Sequence, residues 1–327
     1  MNFSDFLGNE QVRHNLWSAF TSDKFPHAIV LQGEKGCGKR SFAKLLAQTL
    51  VCQNKDRAPC GECSSCIRAK AGSHPDIRIE EGSGATRSLT VDTIKTLIAD
   101  AHKMPEESDV QVYLLFIDNK MGEAAQNKLL KVIEEPPART VFIFTCQSAE
   151  VLLPTIRSRT QIFTLQAPAI PEAAAYVMNK KNLSDEKAQE LAELCGGNIG
   201  KMLDEKESGQ AALVKHSLEL LLPAVTAKNE QDIFKVTAGF IRDKKLFADV
   251  LEQLREIVRQ VILLKSGYDG FTERQKERLL PLQRLSVKKL MDILSVVQEY
   301  AGYIQRNANM NLLVTSFAAQ LRKRAGR

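Results

Sequence analysis

Three groups of residues in the first half of the chain could do chemistry. Gly33-Glu34-Lys35-Gly36-Cys37-Gly38-Lys39 has the spacing of a phosphate loop. In such a loop backbone N–H groups ring an anion and the lysine reaches the outer phosphate oxygens. Cys52, Cys60, Cys63 and Cys66 place four thiolates close together, with two overlapping C-x-x-C steps. Four soft donors in a compact loop suit a tetrahedral structural Zn²⁺; an iron–sulfur cluster is the competing reading. Ser158-Arg159 follows an apolar run. A planar, permanently charged guanidinium there could meet charge developing on a phosphate, or serve as an ordinary surface ion-pair partner. Cys37, Cys146 and Cys195 stand apart and read as small buried apolar residues.

The elements that must position these groups are legible as apolar runs. Ala28-Ile29-Val30-Leu31 leads straight into the glycine-rich loop, and Phe42, Leu45, Leu46 and Leu50 recur behind it at helical spacing. Residues 112–117 and 141–145 are two more continuous apolar runs, and Gln161-Ile162-Phe163 is a shorter one. Between them residues 124–135 read as a helix stopped by Pro136-Pro137. Buried strands alternating with helices predict a parallel sheet covered on both faces. Beyond residue 165 only helical signals remain: Ile170-Pro171-Glu172 and Ser184-Asp185-Glu186 open helices, Cys195-Gly196-Gly197-Asn198 interrupts, and residues 250–264 and 287–304 are amphipathic. Domain boundaries are expected near 166 and 208.

The phosphate loop departs from its pattern. The position after the lysine should carry a Ser or Thr hydroxyl for Mg²⁺, yet Arg40 stands there and Ser41 comes one residue late. One residue of helix turns a side chain by about 100°, so Ser41 should miss the same ion. The second acidic element, expected at the end of a neighbouring strand, offers Asp118 followed by Asn119, with no glutamate base beside it. Either Asp118 is the metal-side acid, or the acids belong at Phe116 and Ile117 and both are missing. Both alignments argue against hydrolysis in cis and leave ATP binding doubtful.

Two further segments complete the pattern: residues 126–137, an N-x-L-L-K-x-x-E-E-P-P run, and residues 153–160, ending in Ser158-Arg159-Thr160. With the strand into the phosphate loop and the four-cysteine module, they resemble the clamp-loader subunits of bacterial DNA polymerase III. The resemblance covers roughly residues 1–205. It implies an α/β AAA+ P-loop module over 1–165 with a zinc module inserted at 52–66, a small helical lid over 166–207 and an all-α collar over 208–327. Such subunits form a five-membered ring that loads the sliding clamp on primed DNA. Carried over by position, the nucleotide-site residues are Gly33, Gly36, Gly38, Lys39, Arg40, Ser41, Asp118, Thr145 as sensor 1 and Lys201 as sensor 2. Arg159 is the finger that reaches a neighbour's ATP, with Thr160 where the family has cysteine. Lys95 and Arg87 are candidates for DNA phosphate contacts, with a solvated helix face as the plainer reading.

The damaged loop and the intact arginine look like the non-hydrolysing delta-prime type, whose partners are gamma/tau, delta and the clamp. An ATP-hydrolysing gamma/tau-type subunit is the alternative within the family. A free-standing zinc-containing nucleotide-binding protein is the alternative outside it, disfavoured by the run ending in Pro136-Pro137.

Bulk properties agree with a globular chain of two or three domains. Of 327 residues, 44% are apolar and 26% charged, with a net charge of +6. The excess of basic residues lies beyond residue 207, compatible with nucleic acid or an acidic partner. No apolar run approaches the ~20 residues that span a bilayer, and residues 1–5 have no signal-peptide character. The expectation is a cytoplasmic protein with no membrane contact. Clustered cysteines in that setting favour a metal over disulfides.

Overall fold

The computed structural model describes the chain apart from residues 1–2, 4–5, 83–87, 118–120, 269–272, 306–308 and 327. It divides into two compact units, Met1–Asp204 and Glu205–Arg327.

In the first unit α1 (Glu10–Thr21) precedes β1 (Ala28–Gln32), and α2 (Lys39–Leu50) follows the glycine-rich loop. Helix α3 (Ser64–Ala71) leads to β2 (Ile77–Glu81), and α4 (Val91–Ala101) to β3 (Gln111–Phe116). Helix α5 (Glu123–Glu134) leads to β4 (Thr140–Cys146), and the short α6 (Pro154–Arg157) to β5 (Gln161–Thr164). The strands form one parallel sheet in the order β2-β3-β4-β1-β5. In register, Leu31 lies between Thr145 and Phe163, and Phe116 lies against Thr145.

The apolar runs become strands because helices cover both faces. Ile29, Leu31, Leu114 and Ile143 pack with Phe42 and Leu46 of α2. The alternate residues Val30, Tyr113, Leu115 and Phe144 pack on the other side with Ile94 of α4 and Leu129 of α5. Period-2 alternation thus assigns successive residues to two cores, and both faces are predominantly apolar. Strand β2 was not legible in the same way. Its Ile-Arg-Ile-Glu-Glu sequence is half exposed, because it forms an edge with only β3 as neighbour. Pro136 ends α5 by disfavouring helical geometry at Glu135, whose φ and ψ are −123° and 72°.

Helices α7 (Ile170–Lys181), α8 (Asp185–Leu194) and α9 (Ile199–Leu203) complete the unit. They bury small residues, among them Ala173, Ala174, Ala188 and Ala192, which allow close helix approach.

The second unit is helical among the described residues. It comprises α10 (Glu205–Thr226), α11 (Glu230–Ala238), α12 (Lys244–Lys265), α13 (Glu273–Gln283), α14 (Val287–Gln305) and α15 (Met310–Ala325). Phe247 stands at its centre, with ring centroids of Phe240 at 5.6 Å and Phe317 at 5.3 Å. Among the described residues no helix is long and apolar enough to cross a membrane.

Candidate functional site: phosphate loop, cysteine cluster and surface arginine

The phosphate loop sits where β1 hands over to α2. Its first residue is tied to the neighbouring strand, Gly33 N donating to the carbonyls of Cys146 (3.3 Å) and Gln147 (3.2 Å). Gly36 and Gly38 hold φ of 91° and 90°, a left-handed geometry that suits glycine. The Lys39 ammonium folds back on the loop and donates to the carbonyls of Gly33 and Glu34, each at 2.7 Å.

Helix α9 lies against this loop. Gly200 N donates to Gly36 O at 3.0 Å. A Cβ on Gly200 would fall 2.4 Å from Gly36 Cα. Asn198 caps α9 by accepting from Lys201 N at 3.1 Å, and its Nδ2 donates to Lys35 O at 2.9 Å and Glu34 Oε2 at 3.2 Å. Lys201, the sensor-2 candidate, puts its Nζ 2.5 Å from Glu34 Oε1. Its partner in this structure is therefore a loop carboxylate.

The positions expected to serve Mg²⁺ are placed as follows. Arg40 turns to the ends of β2 and β3, with Nη1 3.4 Å from Glu81 Oε1 and its guanidinium 4.8 Å from the Phe116 ring centroid. Ser41 is exposed. Thr145 is buried in β4, and its carbonyl accepts from Ile117 N at 2.8 Å. Asp118 lies outside the described residues, as does Arg87. Cys37 and Cys146 flank Lys39 and behave as apolar fillers. Burial pushes the Cys37 thiol up against the pull of Lys39, and pushes Cys146 up to about 11.

The four cysteines converge. The sulfurs of Cys52, Cys60, Cys63 and Cys66 all lie within 4.8 Å of one another, and those of Cys60 and Cys66 are 3.9 Å apart. Zn–S bonds of about 2.3 Å in a tetrahedron imply sulfur–sulfur distances of about 3.8 Å, so the residues fit that ion. The turns are held by N–H···S contacts: Cys60 N to Cys52 Sγ (3.5 Å), Cys63 N to Cys60 Sγ (3.4 Å) and Cys66 N to Cys63 Sγ (3.4 Å). The last of these caps α3. The thiols titrate unequally. Burial raises Cys52 and Cys66, whereas at Cys63 N–H donors from Gln53 and Cys66 and the neighbouring thiols overcome burial and bring it down to about 6. A divalent cation among them would hold all four as thiolates and staple residues 52–66.

Arg159 lies just past α6, on the surface. Its Nε is 3.0 Å from Glu134 Oε1, and its Nη1 donates to Thr155 O (2.9 Å) and Ser158 Oγ (3.2 Å). Lys95 is exposed on α4 and pairs with Asp92 one turn away at 3.1 Å. The structure thus gathers Gly33, Gly36, Gly38, Lys39 and Lys201 in one place, and Arg159 stands apart from them with Glu134.

Asn198 and Glu134 were not legible as site residues. Asn198 carries one usable signal, since an asparagine immediately before a helix is a strong N-cap. Glu134 lies in the run that carries the family resemblance, but nothing in its spacing marks it as the partner of Arg159.

A phosphate loop between an interior strand of a parallel sheet and its following helix is the arrangement of P-loop modules. Residues 8–169 match the family model described as DNA polymerase III, delta subunit. The delta′ subunit of DNA polymerase III from Bacillus subtilis is 26% identical over 317 residues, covering 94% of each chain. The delta′ subunit from Pseudomonas aeruginosa is 36% identical over 182 residues, 55% of each. The gamma/tau subunit from Mycobacterium tuberculosis is 36% identical over 160 residues, 49% of this chain and 28% of its own length. The chain therefore spans less than a third of that gamma/tau relative's length. Among solved structures, a gamma subunit-related protein of DNA polymerase III from Thermotoga maritima has a TM-score of 0.37 at 15% identity, covering 95% of this chain and 99% of its own. RuvB from the same organism has 0.43 at 17%, covering 92% and 90%. The chain belongs to the clamp-loader family of DNA polymerase III subunits.

Proposed function

We propose that this chain is a delta-prime-type subunit of the DNA polymerase III clamp loader. It joins gamma/tau and delta in the ring that loads the sliding clamp on primed DNA, and it supplies Arg159 to a neighbour's ATP without hydrolysing ATP itself. The observation that carries this reading is a contrast between two arginines. Arg40 occupies the position of the Mg²⁺-binding hydroxyl and is engaged with Glu81 and Phe116. Arg159 is displayed on the surface with its Nε and Nη1 held by its own chain. A guanidinium so held can donate from its remaining edge to a γ-phosphate without reorganising.

In this reading residues 1–165 form the AAA+ module, 166–207 the lid and 208–327 the collar that binds the other subunits. The cysteine cluster holds structural zinc, and Lys95 and Arg87 touch DNA phosphates without reading sequence.

The test is steady-state ATPase of the reconstituted loader with clamp and primed DNA. Arg159→Ala should lower kcat by on the order of tenfold or more, and Lys39→Ala should leave it within about twofold of wild type. The reverse pattern would make the chain an ATP-hydrolysing, gamma/tau-type subunit.

A further inference from the structure

We infer that Glu134 is the positioning residue for Arg159; this rests on the reading of Arg159 as a finger acting in trans. A guanidinium has five N–H donors in a fixed fork. Two of Arg159's are donated within the chain, from Nη1 to Thr155 O at 2.9 Å and to Ser158 Oγ at 3.2 Å, and the Glu134 carboxylate pairs with the guanidinium through Oε1, 3.0 Å from Nε. Among the described residues Nη2 donates to no acceptor, so its N–H groups are left for phosphate oxygens.

The anchor is itself fixed. Glu134 is the last residue of α5, next to Ile133, which is buried and whose carbonyl lies 3.1 Å from His27 Nε2. At the other end of α5, buried Gln126 donates to Met121 O and Val151 O and accepts from Leu153 N at 2.7 Å. One rigid helix therefore holds both the segment entering α6 and the arginine leaving it.

Stability gives the pair no reason to exist. The two side chains are 40% and 44% exposed, and an ion pair so screened adds little to folding. Its effect lies in orientation. An arginine side chain has many rotamers, and a donor aimed before the transition state forms is worth more than one that must find its place. Here Glu134 acts only through Arg159 and touches no substrate.

The experiment is a double-mutant cycle in the reconstituted loader, reading kcat and KM for ATP separately. Glu134→Ala should lower kcat roughly tenfold, the scale of losing alignment at a reacting group, with KM little changed. Glu134→Gln, which keeps an acceptor at Oε1, should recover most of the loss. On an Arg159→Ala background Glu134→Ala should add nothing. Equal urea midpoints of the isolated variants exclude loss of fold as the cause. An unchanged kcat for Glu134→Ala in a loader that responds to Arg159→Ala overturns the inference, as does a full, additive effect on the Arg159→Ala background. A loader indifferent to Arg159→Ala overturns the finger reading, and this inference falls with it.

Discussion

Replacing Gly36 with alanine separates two demands on the phosphate loop, backbone geometry and close approach of α9. Gly36 sits at φ 91°, where a Cβ costs about 1–2 kcal/mol. That Cβ would also fall 2.3 Å from Asn198 Oδ1 and 3.2 Å from Lys201 N. The amide must move, and with it go the bonds to Lys35 O and from Lys201 N. Each is worth about 1 kcal/mol net, and the second is the N-cap of α9. The expected loss is therefore about 3–4 kcal/mol. Gly72→Ala is the matched control. Its φ is 73°, but nothing lies within 4 Å of the added Cβ, so it should lose only the conformational part, about 1–2 kcal/mol. The unfolded-state entropy that alanine removes is common to both and cancels. Urea denaturation of the two variants should separate them by about 2 kcal/mol. Equal losses would refute the contact between α9 and the loop.

Two other perturbations follow from the same geometry. The buried Asp76 carboxylate accepts from the backbone of Glu106 (2.6 Å), Glu107 (2.9 Å) and Ser108 (2.7 Å) and from the Ser108 hydroxyl (2.9 Å). Burial alone would raise its pKa, yet these donors prevail and hold it below the ordinary carboxylate value. Its stabilisation is thus full above the unfolded value of about 3.9 and fades as pH falls through the lower folded value. Asp76→Asn should cost about 2–4 kcal/mol near neutral pH, with the gap to wild type closing in acid; a gap that persists undiminished to low pH would contradict this. For the cysteine cluster, protein purified without added metal should carry close to stoichiometric zinc, and Cys60→Ser should lower both zinc content and melting temperature. Zinc near zero in a fully folded wild type would rule the staple out.

Local sequence carried much of this protein's organisation. Apolar runs at 28–31, 112–117 and 141–145 are strands because a parallel sheet with two covered faces selects apolar residues on both. Pro136-Pro137 ends α5 because proline constrains the residue before it, and C-x-x-C steps bring thiols together because a tight turn needs only neighbours. These effects act over a few residues and leave a periodic trace. What only the tertiary structure decided was which distant polar groups meet. Asn198 reaches Lys35 across 163 positions of sequence, and Asp76 pins residues 106–108. Glu134 finds Arg159 because α5 and α6 pack together. Edge strand β2 belongs to the same class, since its half-polar sequence becomes a strand only when β3 supplies its hydrogen bonds. Such contacts depend on strand order and helix docking, which apolar periodicity does not encode, and a single well-placed polar pair leaves no pattern along the chain.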